Sequence, residues 1–177
     1  MNTTAASTTQ SNYLNPALRG ILLGGFFAGL ADFIYPTVKT VMAGKSWMGP
    51  WKGVASGLLG QPARDGGLEM VALGAALHWF ICIGAAALLY LVVSRLRFLP
   101  RQWIVLGCLH GIAVLLTMNY VILPLSAIGR GIYPLEQLHI HAFWHIVLVG
   151  LPTAFFVSRA VLSGSQAAVS AASPATR

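Results

Sequence analysis

Charged residues are scarce in this sequence, and acidic residues are the scarcest. Only 8% of its 177 residues are charged, 56% are hydrophobic, and just four carry a carboxylate side chain. A soluble domain normally has about 25% charged residues, so this chain has too few to cover a surface that faces water. The mean hydropathy of +0.73 indicates instead that the lipid bilayer surrounds most of the chain.

Cysteine and an N-terminal targeting signal are also largely missing. Cys82 and Cys108 lie in apolar segments and form no CxxC pair, so no disulfide framework is predicted. Residues 1–12 contain no Lys or Arg, whereas a signal peptide starts with a basic region, so we expect no cleaved leader. The polar N-tail (1–16) and the Ala-rich C-tail (163–177) are predicted to be disordered, leaving residues 17–162 as the transmembrane domain.

The basic residues that are present do not indicate a nucleic-acid partner. The net charge is +7, but a nucleic-acid-binding domain concentrates such charge on one soluble face. In this chain Arg95, Arg97 and Arg101 cluster between two apolar runs. That position is typical of a cytoplasmic loop between membrane helices.

Four apolar stretches are long enough to cross a membrane, which requires about 20 residues. They cover residues 18–38, 67–93, 102–125 and 138–161. The long connection at 43–66 contains Trp47 and Trp51, and tryptophan favours the headgroup level. Residues 51–59 have helical spacing, and Gly60 and Pro62 are expected to end that helix. The predicted fold is an all-α integral membrane bundle of four transmembrane helices, with a short interfacial helix between the first two that lies on or dips into the bundle.

The distribution of charge predicts the orientation of the bundle. The N-tail, the second loop and the C-tail together carry six basic residues and no acid. The first and third connections carry five basic residues, and all four acids lie in or near them. Because cytoplasmic loops are enriched in Lys and Arg, the dense segment RLRFLPR places both termini in the cytoplasm.

Glycine pairs at four-residue spacing occur in the first and third spans. Such pairs let two helix backbones approach closely in lipid. They are Gly20/Gly24, Gly25/Gly29 and Gly107/Gly111. These faces serve either contacts within one bundle, the more common use in a four-helix chain, or a homodimer interface.

Ionisable residues inside the apolar spans are the candidates for function, because they are costly in lipid and usually face protein or water. Asp32 shares a helix face with Gly24 and Ala28, which favours an inward position over one that reaches outward to the interface. His78 and Cys82, like His141 and His145, are four residues apart. That spacing suits a metal, although hydrogen bonding between helices is the more common use of such histidines.

The estimated depths of these residues suggest one polar cluster. At 1.5 Å per residue, Asp32, Asn119 and His145 each lie roughly 10 Å inside the outer boundary of their spans, and His78 lies roughly 16 Å inside. His110 is deeper still, at more than about 20 Å. The common level predicts one cluster of Asp32, Asn119 and His145. We predict that these three residues, together with His78, bind a ligand, and we assign no catalytic residue, no metal site and no cofactor.

Four segments carry a resemblance to a known family. VASGLLGQPARDGG, ALGAALHWFI, MNYVILPLSAIG and HIVLVGLP are similar to an uncharacterised family of small bacterial inner-membrane proteins with four spans, and the plan more distantly resembles the YagU-type proteins. The resemblance covers residues 20–159 and matches the family pattern at His78, Asn119, Pro124 and His145, but not at His139 and His141. It implies the fold and an inner-membrane location, without an activity.

The sequence leaves several functions open. The leading hypothesis is a non-enzymatic membrane protein that binds or conducts a small ligand or a proton through a polar pocket. The alternative is a redox subunit whose histidines bind haem or a metal, and a third possibility is an assembly factor without chemistry of its own. Whether the chain is an enzyme is undecided.

Overall fold

The computed structural model describes residues 15–96 and 99–172. Within these ranges the chain is helical and contains no strand. Four helical stretches are long and apolar enough to span a membrane: Pro16–Met42, Leu68–Arg95, Leu99–Leu125 and Leu135–Gln166. The predicted all-α bundle of four membrane helices is therefore confirmed.

The first half of the chain forms four helices. They are α1 (Pro16–Met42), α2 (Gly49–Leu59), α3 (Gln61–Asp65) and α4 (Leu68–Arg95). Gly60 ends α2 with a φ of +69°, a conformation that glycine adopts without steric cost. Pro62, which we expected to help end α2, instead lies in the first turn of α3, where a proline loses no helical hydrogen bond.

The third and fourth spans are each assembled from several helical pieces. The third consists of a 3-10 turn (Leu99–Gln102), α5 (Trp103–Thr117), a π-turn (Met118–Ile122) and α6 (Leu123–Leu125). The fourth consists of a 3-10 turn (Leu135–Gln137), α7 (Leu138–His145), a second π-turn (Ile146–Gly150) and α8 (Leu151–Ala172).

Prolines explain where these spans depart from a regular helix. Each π-turn ends two residues before a proline, Pro124 in the third span and Pro152 in the fourth. A proline has no N–H, and its ring clashes with the carbonyl four residues earlier, so a wider turn at that point relieves the clash. Pro36 inside α1 likewise leaves the backbone carbonyl of Asp32 without its usual helical donor.

Glycines allow the fourth span to pack closely in the bundle. A Cβ atom at Gly24 would lie 3.3 Å from the carbonyl oxygen of Thr153, and one at Gly111 would lie 2.6 Å from the Cα of Ile146. On the other face of α1, Gly25 leaves room for the backbone of Ile83 in α4. Near one end of the bundle, buried apolar residues form a hydrophobic core: Ala86, Leu89, Val93, Leu106, Ala154 and Val157.

The C-terminal part of the chain differs from the prediction. The tail was expected to begin at residue 163 without structure, but α8 continues to Ala172. Alanine has the highest helix propensity, and the Ala-rich composition of this segment, read as a sign of disorder, favours continuation of the helix. The predictions for residues 1–14 and 173–177 lie outside the described residues.

Candidate functional site

A cavity of about 610 Å³ lies inside the bundle, between α1, α2, α4 and the two π-turns. It occupies the end of the bundle at which the first and third connections lie. Most of its wall is apolar, with aromatic rings from α1, α2 and α7. The polar and ionisable side chains on the wall are Asp32, Tyr35, Lys39, Arg64, His78, Ser126, Tyr133, His141 and His145.

Helix α2 forms one wall of this cavity, because it packs into the bundle. Trp51 is 1% exposed, its ring stacks on Phe33 at 3.8 Å between centroids, and its Nε1 donates to the hydroxyl of Thr37 at 3.1 Å. The backbone of Trp51 comes so close to α4 that a Cβ atom at Gly74 would collide with its carbonyl. Of the two positions predicted for this helix, the structure shows the one that dips into the bundle.

Asp32 projects into the cavity from α1, one turn before Pro36. Among the residues that the structure describes, no side chain is within hydrogen-bonding or ion-pairing distance of its carboxylate. The pKa of the phenol of Tyr133, in the nearby loop, is raised above its usual range by burial, by the charge of Asp32 and by the proximity of Tyr35. A carboxylate without a partner is costly at membrane depth, so Asp32 is the chemically distinctive group of the cavity.

His78 links α4 to α1 while its ring borders the cavity. Its Nε2 lies 2.9 Å from the carbonyl oxygen of Gly29, so Nε2 carries a proton and donates it. The ring is 8% exposed and meets the Trp51 ring edge-on at 5.4 Å. Hydrogen bonds of this kind, from a histidine to a neighbouring helix, are common between apolar membrane helices.

His145 lies on the opposite side of the cavity, at the end of α7. Its Nδ1 donates to the carbonyl oxygen of His141 at 2.9 Å, which leaves Nε2 as the nitrogen free to accept. Tyr133 stacks on the His141 ring at 3.8 Å and lies edge-on to His145 at 6.3 Å. These three rings close the cavity next to the third connection.

Asn119 lies behind the cavity wall, where it holds the third connection. It is 2% exposed; its Oδ1 accepts from the backbone N–H groups of Ile132 at 3.0 Å and Tyr133 at 2.9 Å. Its Nδ2 donates to the carbonyl oxygen of Tyr133 at 3.1 Å. The structure therefore brings Asp32, His78 and His145 to one cavity, whereas the amide of Asn119 is engaged by the backbone of the loop that carries Tyr133.

Three aromatic residues of the site, Tyr35, Tyr133 and Trp144, were not singled out from the sequence. Tyr35 follows Asp32 by three residues, and that spacing places both on one helix face, so helical periodicity could have identified it. It stacks on Trp144 at 4.3 Å. Tyr133 lies in a connection without periodicity, and only the hydrogen bonds of Asn119 place it over the cavity.

The remaining histidines lie away from the cavity and do not form a metal site. His110 is absent from the cavity wall, and its Nε2 is buried without a hydrogen-bond partner among the described residues; His139 is exposed. Within residues 15–96 and 99–172, no group of three or more His, Cys, Asp or Glu side chains is arranged to hold a metal ion.

Searches against protein families, curated proteins and solved structures found no match to this chain. The resemblance to the YagU-type proteins therefore stays a prediction. Function is inferred from the cavity itself.

Proposed function

We propose that this chain is a multi-pass protein of a bacterial inner membrane, with both termini in the cytoplasm, that binds a small and largely apolar ligand through one polar or ionisable group. The observation that carries the proposal is the cavity that Asp32, His78 and His145 share. Its volume of about 610 Å³ falls within the range of roughly 300–1,000 Å³ that is typical of small-molecule sites.

The composition of the wall supports a ligand rather than an empty packing defect. Small-molecule sites combine apolar and aromatic walls with a few convergent polar groups, and this cavity has that composition. Asp32 needs a partner at membrane depth, and a hydrogen-bond donor or cationic group of the ligand supplies one. A bound proton satisfies the same carboxylate, so passage of protons through the site is the related form of this proposal.

The alternative of a haem- or metal-binding redox subunit has weaker support. A haem held by two histidines needs both imidazoles to reach one iron from opposite sides. His78 and His145 do share the cavity, and the bond from His78 Nε2 to Gly29 leaves Nδ1 as its possible ligand. Within the described residues, however, no group of three or more His, Cys, Asp or Glu side chains is arranged to hold a metal ion. An absorbance spectrum of the purified protein distinguishes the two functions, since a Soret band that disappears in His78→Ala supports haem.

The cavity can be filled without touching its polar residues. Ala85 of α4 lines it, and Ala85→Phe places a ring in the open space. Ala76, which is exposed on the same helix, is the matched control as Ala76→Phe. Because Cys82 also lines the cavity, its rate of modification by a small methanethiosulfonate shows whether the new ring fills the space. In a Cys108→Ala background we expect this rate to fall in Ala85→Phe and to stay unchanged in Ala76→Phe.

The test itself is mass spectrometry of small molecules extracted from the purified protein. We expect a compound that co-purifies in stoichiometric amount with the wild type and with Ala76→Phe and is lost from Ala85→Phe. Extracts that do not differ among the three proteins would contradict ligand binding in this cavity.

A further inference from the structure

A second, smaller cavity lies at the opposite end of the bundle. It has a volume of about 300 Å³ and is formed where the turn Leu99–Gln102 and the start of α5 meet α8. Its wall includes Arg101, Trp103, Phe155, Ser158 and Arg159. None of these residues belongs to the larger cavity, so a ligand bound at this end is independent of the proposed function.

Two arginines make this cavity positive. Arg101 and Arg159 are both exposed, and no acidic residue lies on the described wall. The guanidinium of Arg159 lies 4.7 Å from the centre of the Phe155 ring, which holds it over the cavity. Guanidinium groups bind phosphate through two parallel hydrogen bonds, so an anion with several oxygens suits this pair.

The rest of the wall is suited to lipid. Trp103 and Phe155 pack edge to face with their ring centres 5.4 Å apart, and Leu162 extends the apolar side. Tryptophan is enriched at the level of lipid headgroups. Basic pockets between membrane helices on the cytoplasmic side are known to bind anionic lipid headgroups.

We propose that this cavity binds the phosphate headgroup of an anionic phospholipid, with Arg101 and Arg159 on the phosphate oxygens. The Trp103 and Phe155 rings then contact the first part of the acyl chains. A free phosphate ion offers the same oxygens but gains nothing from this apolar side, so the lipid is the favoured source.

The test is a titration of delipidated protein in mild detergent, followed by native mass spectrometry and thermal unfolding. The probes are phosphatidylglycerol, phosphatidylcholine and inorganic phosphate. We expect phosphatidylglycerol to bind best and to raise the melting temperature, with phosphate much weaker. Equal affinity for the two lipids, or phosphate binding as tight as that of phosphatidylglycerol, would overturn the proposal.

Variants then locate the site. A basic residue near an anionic membrane surface contributes about 1 kcal/mol, which is roughly fivefold in affinity. R101Q/R159Q should therefore weaken phosphatidylglycerol binding by roughly 25-fold. K45Q/R130Q removes the same charge from exposed positions at the other end of the bundle and should leave affinity unchanged.

The variants also have a built-in check on folding. R101K/R159K keeps both charges and should restore most of the affinity. A loss of structure that is independent of lipid would instead lower the melting temperature of both R101Q/R159Q and R101K/R159K when no lipid is present. Equal weakening by R101Q/R159Q and K45Q/R130Q would show that binding depends on total charge and would overturn the site.

Discussion

Asp32 and Tyr133 face the same cavity from different parts of the chain, one from α1 and the other from the third connection. Burial raises the pKa of the Tyr133 phenol, and the Asp32 charge raises it further. In Asp32→Asn the second contribution disappears, so the pKa of Tyr133 should fall toward the usual value of about 10.

This shift can be measured by titrating tyrosinate absorbance, with Tyr133→Phe subtracted to remove the other tyrosines. The raised pKa also affects stability, because the folded state holds the phenol proton more tightly than the unfolded state. The stability of the wild type should therefore fall as the pH rises from about 10 through the folded pKa, more steeply than in Tyr133→Phe. An unchanged Tyr133 titration in Asp32→Asn would mean that the two groups do not interact.

Asn119 should contribute to stability more than to ligand binding. Asn119→Ala removes three hydrogen bonds to the backbone of Ile132 and Tyr133. At about 1 kcal/mol for each bond, the free energy of unfolding in detergent should fall by about 3 kcal/mol. Gln137→Ala, at an exposed position, is the comparison and should change it by less than about 0.5 kcal/mol. Equal effects of the two substitutions would contradict the anchoring role.

The contrast between Asp32 and Asn119 shows how far sequence reasoning reaches at the residue scale. Depth estimates placed Asp32, Asn119 and His145 at one level and His78 at a deeper one. The structure places Asp32, His78 and His145 on one cavity wall, without Asn119. Depth alone does not say whether a polar side chain faces an open space or a loop backbone. The partners of Asn119 lie 13 and 14 residues along the chain, in a connection whose path has no periodic signal.

At the level of helices, the two π-turns help to shape the cavity. Met118 and Ile122 belong to the first π-turn and line the wall, and His145 directly precedes the second. A π-turn inserts an extra residue into the helical ladder, so it rotates the faces beyond it. Depths and faces were predicted from a regular rise along each span, which is why Pro124 and Pro152 were not connected with the position of the site.

The glycine faces give a test with internal controls. Gly111→Ala should destabilise the protein, because its Cβ would lie 2.6 Å from the Cα of Ile146, a backbone atom that cannot move aside alone. Gly84→Ala places a Cβ in open space and should be neutral or stabilising by up to about 1 kcal/mol, since alanine favours the helix. Thermal unfolding in detergent compares the two, and similar melting temperatures would contradict close packing at Gly111.

These contacts also bear on how the glycine pairs are used. Gly20 and Gly24 meet α8, Gly25 and Gly29 meet α4, and Gly107 and Gly111 meet the fourth span. Each pair is thus covered by a helix of the same chain. A homodimer through these faces stays a prediction, and it would have to displace or share those contacts.

At the scale of the whole molecule, the two ends of the bundle differ in chemistry. The end with the first and third connections holds the large cavity, all four acidic residues and five basic ones. The other end holds Arg95, Arg101 and Arg159 and, among the described residues, no acid. Hydropathy was sufficient to predict four spans, because every backbone polar group in lipid must be satisfied within a helix. Hydropathy could not predict the cavities, because they depend on where side chains leave the space between the spans unfilled.

This asymmetry of charge predicts how the molecule is oriented in the membrane. Positive charge near the ends of membrane helices is retained in the cytoplasm, and Arg95 comes directly after Ser94, whereas Ser46 lies in the first connection. In a protein with Cys82 and Cys108 replaced by alanine, an impermeant maleimide should label Ser46→Cys in intact spheroplasts. It should label Ser94→Cys only after the membrane is permeabilised, and labelling of both after permeabilisation confirms that each thiol is reactive. Labelling of Ser94→Cys from outside would reverse the assignment of both termini to the cytoplasm, and would move the arginine-lined cavity to the outer leaflet as well.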